Sequence, residues 1–196
     1  MRAGAAPSVG ETARPLELPD LGGNRVRLED LRGRAVLLVF LRHAGCLICR
    51  AHLVKVLHHR RRVDALGTAV FVAFDPPQLL ERTLLRGLEL PYPLLVDPER
   101  SAYRAWGLGR GSVLGVWADL RVWLRYAREL ARGERLRRPG SDTLQLGGDF
   151  VIDPKGAVAY SRPQRRDDRP PVAELLQALE RAARESTAGR RASKWV

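Results

Sequence analysis

The only two cysteines of the chain, Cys46 and Cys49, are separated by two residues. They follow the apolar run 35–41 and begin a segment whose pattern predicts a helix. Thiols three positions apart at a helix start lie one turn from each other and can join in a disulfide, and the helix dipole favours a thiolate on the first. A bridge that closes so short a loop adds little chain-entropy stability. The spacing therefore predicts redox cycling of the pair.

Cys46 is expected to be the more acidic and more accessible sulfur. At a helix N-terminus it would meet unpaired backbone N–H groups, which lower a thiol pKa from ~8.5 into the range of ~3.5 to 7.5. Arg42, His43 and Arg50 would add positive potential beside it. Cys49, one turn further on, suits a less exposed resolving or exchanging thiol.

Two reactions suit such a pair. In the first, the Cys46 thiolate attacks the O–O bond of a peroxide, becomes a sulfenic acid and condenses with Cys49, and a partner thiol reduces the resulting disulfide. Arg42 or His43 could donate to the leaving oxygen. In the second, the pair attacks a partner's disulfide and shuttles between dithiol and disulfide. Peroxide is the preferred substrate, and a protein disulfide is the alternative.

The composition restricts the partners and the compartment. The chain has 196 residues, enough for one domain with a full core, and a formal charge of +12. Arginine is scattered through nearly every segment without interleaved aromatic residues, so nucleic-acid binding is not expected. Residues 1–15 lack the apolar stretch of a signal peptide, and no run approaches the ~20 residues of a membrane span. These features predict a cytoplasmic protein, where a C-x-x-C beside a βαβ pattern indicates a thioredoxin-like redox motif.

Periodicity predicts the elements that position the cysteines. The runs 35–41 and 68–74 are uniformly apolar, as in parallel strands covered on both faces. Asp75 and Asp97, each followed by proline, are expected to be helix N-caps. The other predicted elements are a hairpin of 16–18 with 25–28, helices over 46–62, 78–88 and 172–184, a strand over 93–96, and a hairpin of 150–152 with 157–160. This order predicts an α/β fold with a mixed central sheet and helices on both faces.

The domain is expected to span residues 15–186, between a flexible N-terminus, 1–14, and a flexible basic tail, 187–196. It contains a helical insertion, 113–135, before the last hairpin. One face of that helix is basic, through Arg121, Arg125, Arg128 and Arg132. The insertion could lie over the sulfurs as a lid. The hypothesis of another class is a non-catalytic interaction module that uses the basic helix 117–132, with the cysteines as inert core residues.

Two stretches carry a family resemblance. Residues 16–20 and 31–40 resemble the opening of redoxin domains in the thioredoxin superfamily. Residues 40–50, which hold both cysteines, together with 147–153 resemble the peroxiredoxin-like branch of the alkyl hydroperoxide reductase/thiol-specific antioxidant family. The resemblance implies a thioredoxin-like fold and antioxidant thiol oxidoreductase activity without a cofactor. It also implies a thiol reductant such as thioredoxin, glutaredoxin or a low-molecular-weight thiol.

The chain departs from that family's pattern around the cysteines. Peroxiredoxins carry a proline seven residues and a threonine or serine three residues before the peroxidatic cysteine, where this chain has Val39 and His43. Their active-site arginine falls on Gly147 here. Arg162, just after the late hairpin's second strand, is a candidate for the missing guanidinium.

Metal binding is a further alternative for the cysteine segment. Cys46 and Cys49 with His52 or His43 would supply three ligands, whereas structural zinc sites use four. No metal site is therefore predicted.

Overall fold

A short hairpin begins the described part of the chain, which in this computed structural model comprises residues 4–112, 120–133, 142–165 and 168–192. Strand β1 (Glu17–Pro19) pairs antiparallel with β2 (Arg25–Arg27), and a 3₁₀ turn (Leu28–Leu31) follows. Alternating residues around a Gly-Gly-Asn turn account for this hairpin, which the sequence predicts.

The main sheet has five strands in the order β5-β4-β3-β6-β7. They are β3 (Ala35–Phe40), β4 (Gly67–Ala73), β5 (Leu94–Val96), β6 (Gly148–Ile152) and β7 (Val158–Pro163). Strands β3, β4 and β5 are parallel to one another, whereas β6 runs antiparallel to both of its neighbours. The predicted mixed sheet of an α/β fold is confirmed.

The helices differ from their predicted lengths at three places. They are α1 (Leu47–His58), α2 (Arg60–Leu66), α3 (Pro77–Leu79) with a π turn (Leu80–Leu84), α4 (Ser101–Ala105), α5 (Leu120–Ala131) and α6 (Val172–Ala192). The helix predicted over 46–62 breaks at His59, which leaves helical geometry. The helix predicted over 78–88 is shortened by the π turn, and α6 extends beyond the predicted end at residue 184.

Strand β3 is the centre of the core, and all six of its residues are buried. Successive side chains of a strand point to opposite faces. Leu37 and Val39 therefore join the cluster that contains apolar residues of α1 and α6. Leu38 and Phe40 join the cluster that contains Tyr103. Burial on both faces confirms the prediction of a central strand, whose carboxyl end carries the cysteine segment.

The two chain ends and the insertion are described in part. Within the segment predicted to be flexible, Gly10 and Ala13 donate backbone hydrogen bonds to Val158 and Gly156 of the last hairpin, at 2.8 and 2.9 Å. Residues 1–3 and 193–196, and residues 113–119 and 134–135 of the predicted insertion, lie outside the described residues. Among the described residues, none of the helices combines the length and the apolar content that a membrane span requires.

Candidate active site

The loop that joins β3 to α1, residues 41–46, is fixed by neighbouring elements. The Tyr103 hydroxyl donates to the carbonyl oxygen of Leu41 at 2.6 Å, or to that of Val72 at 3.0 Å. The Asp75 carboxylate accepts the Ala44 N–H at 2.6 Å. The residues before the cysteines are therefore held in one geometry by β4 and α4.

The two aspartates predicted to be N-caps have different roles. Asp97 accepts the N–H groups of Ser101 and Ala102, each at 2.9 Å, and so binds the first turn of α4. The predicted N-cap position is wrong, because the helix begins at Ser101 and Arg100 is its N-cap residue. Asp75 does not cap the next helix, because α3 follows Pro76 without a side-chain cap. The prediction for Asp75 is wrong because its carboxylate is used to bind the cysteine loop.

Cys46 and Cys49 lie together at the start of α1. Cys46 is the N-cap residue, and its Sγ accepts the Cys49 N–H at 3.2 Å. Both are free thiols, and their side chains are hydrogen-bonded to each other. This close approach is consistent with the redox pair that the C-x-x-C spacing predicts.

Both sulfurs are buried, with 1% of Cys46 and 0% of Cys49 exposed to solvent. The expected accessibility of Cys46 is therefore wrong. Tyr126 of α5 is itself buried, in the same cluster as Cys46 and Cys49. The described part of the helical insertion, α5, thus packs beside the sulfur pair, in the position of the predicted lid.

Positive charge is concentrated at Cys49. Burial opposes ionisation of this thiol, but the hydrogen bond from the Cys46 thiol and the guanidinium groups of Arg169 and Arg42 outweigh it. The Cys49 Sγ also accepts the Arg42 backbone N–H at 3.4 Å and lies 3.7 Å from Arg169 Nη2. Together these contacts hold the pKa of Cys49 well below its ordinary value.

The pKa of Cys46 is shifted in the opposite direction. Burial, followed by the hydrogen bond and the negative charge of Cys49, raises the pKa of Cys46 well above its ordinary value. The two thiols titrate as a coupled pair, and the contacts of Cys49 with the Arg42 N–H and the Arg169 guanidinium favour Cys49 as the sulfur that carries the first negative charge. This direction is opposite to the predicted order of acidity, because the Arg42 backbone N–H and the Arg169 guanidinium contact Cys49 rather than Cys46.

Arg169 belongs to a buried polar network that the sequence does not reveal. Its Nη1 lies 3.0 Å from both carboxylate oxygens of Asp149, and its Nη2 donates to the Phe40 carbonyl oxygen at 2.7 Å. The His52 Nε2 lies 3.0 Å from Asp149 Oδ1. Burial raises the pKa of Asp149, but Arg169 and His52 outweigh burial and lower it, so the carboxylate stays charged. The network aims the guanidinium at Cys49.

Gly147 provides the space that Arg169 occupies. A Cβ atom at this position would lie 2.9 Å from Arg169 Nη2 and 2.3 Å from the Phe40 carbonyl oxygen. The family resemblance alone indicates that the active-site guanidinium is missing, because Gly147 stands at its position. In the structure, Arg169, which follows the late hairpin, supplies a guanidinium instead. The available sequence signal was Asp149, a carboxylate in an otherwise apolar strand, which needs a buried cation.

The other candidate arginines have different surroundings. The Arg42 side chain is 1% exposed, and it donates to the carbonyl oxygens of Gln145 at 3.2 Å and Thr143 at 2.6 Å. Its backbone N–H contacts Cys49 directly. Arg162 pairs with Asp168 at 3.5 Å, and its side chain is 48% exposed. The guanidinium that contacts sulfur is that of Arg169, not Arg162.

His43 and Arg50 flank the pair without a hydrogen bond to either sulfur among the described contacts. The His43 carbonyl oxygen accepts the Cys46 N–H at 2.9 Å, and burial lowers the pKa of the His43 ring. Arg50 Nη2 donates to the Arg86 carbonyl oxygen at 3.0 Å. In the metal hypothesis His52 is a ligand, but here it binds Asp149, and no group of three or more His, Cys, Asp or Glu in the described ranges could hold a metal ion.

We expect Gly147→Ala to destabilise the fold and displace Arg169. The new methyl group would overlap backbone at Phe40, so the free energy of unfolding should fall by about 1–3 kcal/mol, as in other overpacked sites. Urea unfolding measures this change. Gly109→Ala is the matched control, because a Cβ at Gly109 meets no atom within 4 Å. Equal stability of the two variants would contradict the close packing at Gly147.

Comparison with known proteins shows which family the sequence matches. The sequence profile described as AhpC/TSA family matches residues 9–161. Thioredoxin-like protein AAED1, chloroplastic, of Arabidopsis thaliana is 26% identical over 188 residues, which cover 90% of this chain and 75% of the relative.

Solved structures show the same fold. The crystal structure of peroxidoxin BcpB from Mycobacterium tuberculosis matches with a TM-score of 0.63 at 20% identity, covering 91% of this chain and 97% of that one. The peroxiredoxin-like protein from Aquifex aeolicus matches with a TM-score of 0.64 at 12% identity, covering 92% and 90%. The predicted thioredoxin-like fold is confirmed.

Proposed function

The chain belongs to the AhpC/TSA family, and we propose that it reduces peroxides with electrons from thiols, through Cys46 and Cys49. The observation that carries this proposal is the position of Cys49, which lies 3.7 Å from Arg169 Nη2 and beside a second thiol. A thiolate is the nucleophile in peroxide reduction, and a neighbouring thiol completes the cycle.

In the first step, the Cys49 thiolate attacks one oxygen of ROOH. The O–O bond breaks, Cys49 becomes a sulfenic acid, and the alkoxide takes the proton of the Cys46 thiol to leave as ROH. The Cys46 thiolate then attacks the Cys49 sulfur and expels hydroxide, which is protonated to water. Two electrons pass from the pair to the peroxide, and a disulfide remains.

The disulfide is reduced by exchange with external thiols. A first thiolate RS⁻ attacks one sulfur and forms a mixed disulfide, and a second releases RSSR and restores the two cysteines. The reductant is thioredoxin, glutaredoxin or a low-molecular-weight thiol. The net reaction converts ROOH and two RSH into ROH, H₂O and RSSR.

Burial of both sulfurs favours peroxide over the alternative substrate, a protein disulfide. A folded protein would need α5 to move before its disulfide could reach either thiol, whereas a small peroxide needs only a narrow path. The charged surroundings of Cys49 argue against cysteines that are inert core residues, as the interaction-module hypothesis requires. In the basic helix of that hypothesis, the side chains of Arg121 and Arg125 lie outside the described residues. A cytoplasmic location stays a prediction.

Stopped-flow mixing of the reduced protein with hydrogen peroxide or an alkyl hydroperoxide tests the proposal. We expect one Cys46–Cys49 disulfide for each peroxide consumed, at a rate at least about 30-fold above that of free cysteine, whose thiol is only about 3% ionised at pH 7. An insulin-reduction assay run in parallel measures disulfide exchange. Oxidation no faster than free cysteine, with active insulin reduction, would replace the peroxidase proposal with the alternative.

A further inference from the structure

A cavity of about 260 Å³ opens beside the sulfur pair. It lies between α1, α5 and the segment that leads into α6, and Arg169, which contacts Cys49, forms part of its wall. The Arg169 guanidinium thus lies between the Cys49 sulfur and the cavity. At ~30 Å³ for each displaced water, the volume accommodates a polar head with a short carbon stem.

The rim of the cavity is basic. Lys55, Arg128 and Arg132 face a single carboxylate there, that of Glu129. Glu129 Oε1 lies 3.0 Å from Lys55 Nζ and 2.8 Å from Arg132 Nη1. Arg128 is exposed and has no salt-bridge partner in the described part of the chain. One carboxylate cannot neutralise three cations, so the rim retains a net positive charge.

The floor of the cavity is apolar. Ile48 and Ala51 of α1 contribute to it, with Pro170, Pro171 and Val172 from the opposite side. Arg169 and His52 also reach the cavity, but Asp149 binds both of them. An anion at this site would therefore be held at the rim by Lys55, Arg128 and Arg132, while its carbon stem lies on the apolar floor toward Cys49.

We propose that this cavity binds the carboxylate of a substrate, carried either by the thiol that reduces the disulfide or by the hydroperoxide that oxidises the pair. A bound carboxylate neutralises part of the net positive charge of the rim. Bidentate contact with a guanidinium fixes the orientation of that carboxylate. The apolar floor selects a carboxylate with a short hydrocarbon stem over an inorganic anion. The substrate assignment rests on the proposed function, whereas the anion site itself does not.

Alkylation of the reduced protein tests the site without turnover. Iodoacetate carries a carboxylate, and iodoacetamide is its neutral counterpart. Both reagents need the same movement of α5 to reach the sulfurs, so the ratio of their alkylation rates does not depend on that movement. We expect Arg128→Glu to lower this ratio by about 10-fold, and Glu129→Gln to raise it. Arg61→Glu, an equal charge change on an exposed residue of α2, is the control and should leave the ratio unchanged.

Two further comparisons identify the carrier of the carboxylate. In the reductant arm, mercaptopropionate is compared with mercaptoethanol as reductant of the oxidised protein, after correction for thiolate content. In the oxidant arm, a fatty-acid hydroperoxide is compared with its methyl ester. In one arm, we expect the compound that bears the carboxylate to react about 10-fold faster than its neutral counterpart. This preference should be lost in Arg128→Glu and should decrease as the salt concentration rises.

An alkylation ratio that is the same in Arg128→Glu and Arg61→Glu would overturn the inference, as would the absence of a carboxylate preference in both arms. Either result is compatible with efficient reduction of uncharged peroxides. Failure of the proposed peroxidase activity would appear separately, as slow oxidation by hydrogen peroxide in the wild-type protein. Arg128→Gln, which removes the charge without reversing it, should give an intermediate ratio if Arg128→Glu fails to fold.

Discussion

Replacing Cys49 by serine is expected to abolish the rapid reaction with peroxide, whereas replacing Cys46 by serine should stop the cycle after one oxidation. In Cys49→Ser, burial still raises the pKa of the remaining Cys46 thiol, and among the described contacts the Arg169 guanidinium lies at position 49 rather than at Cys46. Because a thiol of pKa about 9 is only about 1% ionised at pH 7, the oxidation rate should fall by on the order of 100-fold or more.

Cys46→Ser retains the charged sulfur and a hydroxyl that can donate a hydrogen bond to it. This variant should consume one peroxide and accumulate a sulfenic acid on Cys49, because no thiol is left to expel its hydroxide. Trapping with dimedone followed by mass spectrometry measures the sulfenic acid in each variant. A trapped sulfenic acid on Cys46 in Cys49→Ser, with none in Cys46→Ser, would restore the roles that the sequence alone predicts.

Loss of the Arg169 guanidinium should have the second-largest effect on reactivity. An opposite charge within about 4–6 Å lowers the pKa of an acid by about 1–3 units, so Arg169→Met should raise the pKa of Cys49 by a similar amount. The wild-type rate should be constant at neutral pH and fall as pH drops through the pKa of Cys49. In the variant this decline should begin at a pH about 1–3 units higher, because the midpoint of the rate profile follows the pKa of Cys49.

Arg169→Met alone leaves the Asp149 carboxylate buried without its cation, which costs about 3–5 kcal/mol of folding free energy. The double variant Asp149→Asn/Arg169→Met removes both charges, so it leaves no unpaired buried carboxylate. A shift of its pH profile therefore does not result from lost folding free energy. Arg162→Met is the matched control, because this arginine is half-exposed and binds Asp168. An unchanged pH profile in the double variant, or an equal shift in Arg162→Met, would contradict the assignment of Arg169.

The features that the sequence predicts correctly are those encoded over a few residues. The apolar run before Cys46 gives a central strand because a strand buried on both faces needs no polar positions. The cysteine spacing gives the pair because residues three apart share a helix face. The break at His59 and the π turn at Leu80–Leu84 depend on tertiary packing, which overrides local propensity.

The charge at the site could not be predicted because it comes from a distant residue. Arg169 lies 120 positions after Cys49, and only the folded sheet brings it beside the sulfur. Arg42 precedes the pair closely in sequence, yet its guanidinium binds the carbonyl oxygens of Thr143 and Gln145. Proximity along the chain predicted which arginines lie near the cysteines, but not which guanidinium contacts sulfur.

Titration of the thiolate by its ultraviolet absorbance, in the wild type and in each cysteine variant, is the decisive test of whether Cys49 carries the negative charge, because it needs no substrate. In the reduced wild-type protein and in Cys46→Ser, we expect one thiolate to form well below the ordinary thiol pKa of ~8.5. In Cys49→Ser, no thiolate should form in that range. A low-pH thiolate that persists in Cys49→Ser, or wild-type thiols that both ionise near ~8.5, would contradict the account.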